Sequence, residues 1–546
     1  MDGAEPTDPV QRVATLVAAA GIAGRRVREV VGLLADGPQT LAALVQHSAV
    51  DRRTVEHVLA ALGDDLAVDT DEGVRIAPNR VDAYREFAGA LNQTVPGPAQ
   101  PYGQLLDGLG DRVDALTQHI AAAPPALPAL DHVPATAETV MRRAVWLDRT
   151  YDLAGARVLC IGDHDQTAVA LAAVNPQVEI AVVDVDDGVL RHVDSTGAAR
   201  CFWADLRFGL PDRVRGWADL IVTDPPYTPD GVRLFLARGV QALRDRDHGR
   251  LVLAYGFGDQ PALGVKVQQA ITSLHLAFEA ILPAFNRYHG AQALGSASDL
   301  YVLRPTARSF RIADATTPMV NIYTHGGQSL EGAASGLPTE LAEPLLAAAH
   351  GSGDAPAASL VGSGVDAQVP LSTVLGGEPV GGAGPGAQGP VAVDLRADPG
   401  SWLLRVLLAV TADRVAILVP NNHPDLVDEA AQGRLIGLVA AKYQLRLRRS
   451  TPGPRLAIVE ARRAEPSDQA GLATRAVLDR AYGKVANIWR EALIESSGRT
   501  LTKNEARERI RAEAPEPSIV DARLINLPRH QLAILLQAVG ASAAQT

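Results

Sequence analysis

Only two cysteines, Cys160 and Cys201, occur in 546 residues, and they stand far from any CxxC spacing. Neither a disulfide framework nor a cysteine-built zinc site is available to such a chain, so a reducing, cytoplasmic setting is expected and no metal. Long hydrophobic runs are missing too: no window approaches the roughly 18 uncharged apolar residues that a membrane span needs. The first residues, MDGAEPTDPV, lack the basic and apolar regions of a signal peptide. Positive charge is in deficit, with 51 Lys+Arg against 62 Asp+Glu, a net of -11 and a pI near 5.7. That balance makes nucleic acid an unlikely partner and favours a small cationic one.

What is present is enough apolar material, 47% of residues, for two to four domains. Residues 9–20, 24–36, 39–47 and 51–62 have helical periodicity, and two short strands follow at 65–69 and 73–76, joined by Thr70, Asp71 and Glu72. This is a winged-helix pattern over residues 1–90, with Arg52 and Arg53 near the start of the helix that would enter DNA. Docking or dimerisation is the preferred role in an acidic chain, and a homodimer is allowed. A Pro-rich connector occupies 91–133.

From 134 to 323 strands and helices alternate, with strands near 157–161, 178–184, 200–204, 219–223, 250–254, 279–284 and 298–304. The pattern predicts an α/β domain with a Rossmann-like sheet of the class I methyltransferase type, whose ligands sit at the carboxyl ends of the strands. Residues 324–388 are dominated by Gly, Ala, Ser and Pro and read as a flexible linker. Order resumes over 389–465 as a small second α/β segment, half of another layer, and 466–546 reads as a helical C-terminal domain.

Chemistry concentrates at the strand ends. Gly162, Asp163, His164 and Asp165 open a helix where a nucleotide-binding loop belongs, but the glycines of GxGxxG are absent and acids replace them, which favours a ligand carrying positive charge. Asp184 ends the next strand, about twenty residues on, where an acid takes ribose hydroxyls. Asp205 ends the third and is placed to face an adenine amino group. The fourth ends in TDPPYT, a rigid turn that offers Asp224, Pro225 and the ring of Tyr227 to a nitrogen nucleophile. Further on, ILPAFNRYHG brings Asn286 and Tyr288 in a loop that would close over an acceptor.

The segments ARVLCIGDHDQTAVAL, IAVVDVDDGVL, ADLRFGLPD, TDPPYT and ILPAFNRYHG, in this order, resemble the branched-chain polyamine synthases, or bis(aminopropyl)spermidine synthases, over roughly residues 10–305. The resemblance implies transfer of an aminopropyl group from decarboxylated S-adenosylmethionine to an amine such as spermidine, with methylthioadenosine released. Taken with the reading of the residues, it leads to the expectation that His164, Asp165 and Asp224 serve catalysis, Gly162, Asp163, Asp184 and Asp205 the donor, and Pro225, Tyr227, Asn286 and Tyr288 the acceptor. Where the family has Gly-Asp-Asp-Asp this chain has His164 at the central acid, and it continues for roughly 240 residues beyond the resemblance. An alternative with S-adenosylmethionine as methyl donor, acting on amino groups of nucleic acid or small molecules, shares the DPPY turn. A winged-helix regulator with an inactive nucleoside-binding sheet is the third reading. The energetics of amine alkylation are demanding: an amine of pKa about 10.4 must lose its proton at pH 7 at a cost of about 4.6 kcal/mol. A neutral His164 is the expected proton acceptor.

Overall fold

A computed structural model describes the chain except residues 1–7, 21–23, 49, 70–72, 90–101, 291–295, 317–321, 324–335, 352–357, 364–366, 377–388, 499–500 and 545–546. The strands are β1 (Leu66–Asp69), β2 (Gly73–Ile76), β3 (Arg157–Ile161), β4 (Glu179–Asp184), β5 (Arg200–Trp203), β6 (Leu220–Thr223), β7 (Arg250–Tyr255), β8 (Ala277–Arg287), β9 (Ala297–Arg304), β10 (Ser359–Gly362), β11 (Val369–Pro370), β12 (Val391–Asp394), β13 (Arg414–Pro420), β14 (Tyr443–Arg449) and β15 (Leu456–Arg463).

Helices Pro9–Ala19, Gly24–Asp36, Leu41–Ser48 and Arg52–Leu62 and the β1–β2 hairpin share a core of their own, including Val30, Leu34, Val55, Val58 and Ile76. Gln39 bridges Val74 and widens the hairpin. A helix unforeseen from the sequence, Val81–Gly89, buries Tyr84 there, with its hydroxyl donating to Asp65 at 2.6 Å. Residues 70–72, expected to join the two strands, and residues 91–101 of the Pro-rich connector lie outside the described residues, while the rest of the connector includes helix Gly110–Ala121.

The central sheet has the order β5-β4-β3-β6-β7-β9-β8; its first five strands are parallel and β9 is antiparallel to both neighbours. Its strands are runs of buried Val, Ile, Leu and Cys because helices cover both faces. Each parallel step needs a crossover, and the one between β4 and β5 is helix Asp187–Asp194, which sequence periodicity did not show. Strand order reverses between β3 and β6, so the crevice outside their carboxyl ends is where a ligand belongs.

The linker expectation for 324–388 is corrected in part. Helix Thr339–His350, β10, β11 and helix Leu371–Gly376 are built from it, whereas residues 377–388 lie outside the described residues. Strands of four and two residues amid Gly and Ala carry too little periodicity to be read as strands. They complete a six-stranded sheet, β11-β10-β12-β13-β15-β14, in place of the half layer expected. Helices from Gln469 to Ala544 close the chain, and their core is continuous with that of the central sheet. Among the described residues no helix is long and apolar enough to cross a membrane.

Candidate active site

A cleft of about 510 Å³ opens at the carboxyl ends of β3, β4, β5 and β6, lined among others by Gly162, His164, Asp184, Asp205, Asp224 and Pro226. Its floor depends on one backbone turn. Gly162 leaves β3 with φ 68°, in the left-handed region, and a Cβ there would meet the Phe235 ring at 3.3 Å. The chain then turns back so that Asp163 caps helix Thr167–Val174 by accepting from Ala168 N at 3.2 Å. Asp184 accepts from the amides of Asp163 at 3.0 Å and Asp186 at 2.8 Å, one on each oxygen. The Val185 amide also faces this carboxylate, which still has acceptor capacity for a hydroxyl.

Burial, aided by neighbouring Asp165, pushes the Asp163 carboxyl well above the usual range. Burial also raises Asp184 despite its amide donors, and burial with Asp184 beside it lifts Asp186 to about 6.

The other side of the cleft is organised by a residue that sequence reasoning missed. Arg143, on helix Ala137–Thr150, is wholly buried and donates through Nε to Asn286 Oδ1 at 2.7 Å and through Nη1 to Asp165. Its Nη2 donates to Asp224 Oδ2 at 2.8 Å and to the Tyr288 hydroxyl at 3.1 Å. Tyr288 donates in turn to Asp224 Oδ2 at 2.7 Å and receives the Tyr227 hydroxyl at 3.0 Å. Both hydrogen bonds to Asp224 fall on Oδ2, which leaves Oδ1 for a substrate. Burial would discharge Arg143, but Asp165, Tyr288 and Asp224 hold it charged. Burial pushes Asp165 up, yet Arg143 and His164 outweigh it and lower the carboxyl; at Asp224 burial wins over Arg143 and raises it.

Asn286 reaches this hub from the end of β8, and Tyr288 from a bridge to Ala135 just past it, rather than from the closing loop expected of them. A register shift between Leu282 and Asn286 in the β8–β9 pairing, with Ala284 at φ 53°, turns the strand so that Asn286 faces Arg143. Asn286 also donates to Ser298 Oγ at 2.9 Å. Pro225 and Pro226 stiffen the turn after β6, and Thr228 caps the next helix by accepting from Gly231 N at 2.9 Å.

His164 lies in the cleft with its ring parallel to His132, centroids 4.6 Å apart, and its Nε2 is 3.1 Å from the Val133 carbonyl oxygen. A carbonyl only accepts, so Nε2 carries a proton and Nδ1 is the basic nitrogen of the neutral ring. Burial and the neighbouring His164 drive His132 well below the usual imidazole range. Asp205, expected to face adenine, has its carboxylate engaged by Arg207 through N at 3.0 Å, Nε at 2.9 Å and Nη2 at 2.6 Å, and by Trp402 Nε1 at 2.9 Å. The local geometry explains why: Arg207 is two residues away and folds back over its own strand end.

A parallel-rich sheet with its order reversing at β3 and β6, a glycine turn after β3 and acids at successive strand ends define a Rossmann-like α/β domain with a ligand cleft. Residues 113–308 match the family model of the branched-chain polyamine synthase A C-terminal domain.

Among individual proteins, the chain is 34% identical over 202 residues to an uncharacterised protein of Methanocaldococcus jannaschii, covering 36% of this chain and 49% of that one. It is 25% identical over 197 residues to the N(4)-bis(aminopropyl)spermidine synthase of the same organism, covering 35% and 56%, and 32% identical over 120 residues to that of Thermococcus kodakarensis, covering 21% and 34%. The chain thus spans between about a third and just over half of the length of these relatives. A crystal structure of the branched-chain polyamine synthase from Thermus thermophilus, in complex with N4-aminopropylspermidine and 5′-methylthioadenosine, aligns at 20% identity and a TM-score of 0.38, covering 55% of this chain and 93% of that one.

Proposed function

We propose that the cleft transfers an aminopropyl group from decarboxylated S-adenosylmethionine to an amine nitrogen, releasing methylthioadenosine. The observation that carries this reading is the convergence of Gly162, His164, Asp184 and Asp224 on one cleft of a domain that matches the polyamine synthase family. Asp184 receives the ribose hydroxyls, and the Gly162–Asp163 turn lets the nucleoside approach the backbone. Asp224 Oδ1 receives the acceptor amine beside the Tyr227 ring. Pro225 stiffens the turn that carries that carboxylate, Tyr288 donates to its Oδ2, and Asn286 steadies it indirectly by holding Arg143.

Carboxylates attract a polyamine but raise its pKa and so hold it protonated, while burial and a nearby cation do the reverse. Arg143 offsets the charge of Asp165 and Asp224, so an amine docked on Asp224 Oδ1 is bound without the full field of two acids. The proton passes to Asp224, raised by burial, or to His164 Nδ1. Nucleophile and sulfonium carbon are then joined as nitrogen displaces the thioether, a step accelerated chiefly by holding the two reactants in line.

Incubation of the full chain with S-adenosylmethionine or its decarboxylated form plus spermidine, read by mass spectrometry, tests this. Methylthioadenosine and an acceptor heavier by one aminopropyl group are expected from the decarboxylated donor. Adenosylhomocysteine from the carboxylated donor would replace this reading with methyl transfer. The N-terminal unit is proposed as a winged-helix module that docks or dimerises; Arg52 is paired with Glu56 at 2.7 Å, which takes one of its two leading arginines away from a phosphate role.

A further inference from the structure

The six-stranded sheet repeats the central one. Its strands β11-β10-β12-β13-β15-β14 follow the same order and directions as β4-β3-β6-β7-β9-β8, three parallel pairings and then two antiparallel. A helix precedes the first strand of each, Thr339–His350 before β10 and Ala137–Thr150 before β3. Pairing register fixes the correspondence residue by residue. Ile161 pairs with Val183 and Thr223, and Val361 pairs with Val369 and Val393. Gly362 therefore stands at the position of Gly162, Ser363 at that of Asp163, Pro370 at that of Asp184 and Asp394 at that of Asp224.

We propose that the chain carries this sheet twice, that only the first copy takes a nucleoside, and that the second braces a wall of the first copy's cleft from behind, with Trp402 as a positioning residue that acts through Asp205. This rests on the donor reading of the cleft given above. The second copy keeps the glycine, though inside β10 and without the left-handed turn of Gly162, and the acid that ends β12, but has lost the ribose acceptor, since Pro370 offers no side-chain oxygen. Helix Leu371–Gly376 starts directly after it, where the first copy has two residues, Val185 and Asp186, before helix Asp187–Asp194. Asp394 is chelated by its own neighbour, Arg396 donating through Nε and Nη2 at 2.9 Å each and through N at 3.1 Å. Asp398 takes the amides of Gly400, Ser401, Trp402 and Leu403, together with His423 Nε2 at 3.1 Å. The acids at this end are thus spent on the fold.

The copies are joined asymmetrically. β5 has no counterpart in the second sheet, and it is at the ends of β4 and β5 that the second copy docks. Trp402 opens the helix after β12 and gives its indole N–H to Asp205, with its ring 5.5 Å from Phe208 and beneath the Arg207 guanidinium at 4.8 Å. Three further contacts, one from the same helix and two from the C-terminal helices, lie at this junction: Arg405 pairs with Asp187 at 2.9 Å, Arg529 N donates to Asp187 at 2.7 Å, and Asn526 donates to the Trp203 carbonyl at 3.1 Å. With Arg207 and Trp402 the Asp205 carboxylate receives four N–H groups, its full capacity. It fixes the wall of the donor cleft and has no acceptor left for the adenine amino group.

Calorimetry of the full chain with 5′-methylthioadenosine should give one equivalent bound, weakened roughly tenfold to a hundredfold by Asp184→Ala and unaffected by Asp394→Asn. Trp402→Phe keeps the ring but removes the N–H. It should raise KM for the donor about fivefold to tenfold while kcat at saturating donor and KM for the acceptor stay within about twofold. Asp205→Asn, which keeps one oxygen, should shift the donor KM in the same direction if Trp402→Phe does not fold. Two equivalents bound, or loss of binding in Asp394→Asn, would overturn the blind second copy. An unchanged donor KM in both Trp402→Phe and Asp205→Asn would overturn the wall while leaving the donor reading intact. Failure of the unsubstituted chain to bind the nucleoside at all would instead overturn the donor reading itself, and the inference with it.

Discussion

The two walls of the cleft are built from the same residue, aspartate, and neutralise it by different means. On the donor wall Asp163 and Asp184 accept backbone amides two to five residues ahead or across one strand, and both carboxyls are pushed up by burial. On the acceptor wall Asp165 and Asp224 share one guanidinium, Arg143, from a helix 22 and 81 residues away in sequence. The lesson is electrostatic. Amide donors hold a carboxylate without adding net charge, so the wall proposed for the donor would stay attractive to a sulfonium. An arginine cancels charge, so the wall proposed for the acceptor would hold an amine without forcing a proton onto it.

Removing the cancelling charge should therefore have the largest effect. Arg143→Met leaves Asp165 and Asp224 buried and unpaired, and a loss of about 3–5 kcal/mol in unfolding free energy is expected by denaturant titration. Arg143→Lys restores the charge but not the fork that reaches Asn286, Asp165, Asp224 and Tyr288 together, and should recover part of the stability and little of the transfer rate. A loss below about 1 kcal/mol for the methionine variant would show that the hub is not what holds this wall.

Next in size is Asp224→Asn. The turn and the Tyr288 contact can persist, but the proton acceptor is gone, so methylthioadenosine release should fall on the order of a hundredfold with donor affinity unchanged. Asp184→Ala should do the opposite. It should weaken nucleoside binding by about 1.5–3 kcal/mol, or roughly tenfold to a hundredfold, through the lost hydroxyl bonds. Calorimetry with methylthioadenosine separates the two, and equal losses of affinity in both variants would erase the distinction between the walls.

That distinction also marks what sequence could reveal. The donor wall was legible because its partners are local: a glycine turn after a hydrophobic strand, then an acid at each strand end, is a pattern of spacing. Asp224 was legible for the same reason, through DPPY. Arg143 was not, because an arginine in the helix AETVMRRAVWLDRT reads as solvated until the fold buries it. Asn286 and Tyr288 were found as residues but placed in a loop, since nothing in ILPAFNRYHG announces the irregular pairing that lets β8 continue through it. The second sheet was half hidden for a simpler reason: β10 and β11 are four and two residues long in a segment rich in Gly and Ala.

The smallest effect concerns Asp163 and tests the donor wall through pH. Burial and the nearby Asp165 raise its carboxyl well above the ordinary value, so the folded chain binds this proton more tightly than the unfolded chain does. The stability that follows is fully present below the ordinary carboxylate range and is lost as pH rises through the folded value. Asp165, whose carboxyl Arg143 and His164 hold low against burial, contributes with the opposite sign, and the two partly offset each other. Asp163→Asn keeps an oxygen for the Ala168 amide while removing both the titration and the repulsion. The variant should therefore match the unsubstituted chain at about pH 4 and exceed it at about pH 8, the gap in melting temperature opening steadily between them. Parallel melting curves across that range would mean that Asp163 is charged in the folded chain much as in the unfolded one, and the donor wall would then owe its pull on a sulfonium to this acid as well as to Asp184.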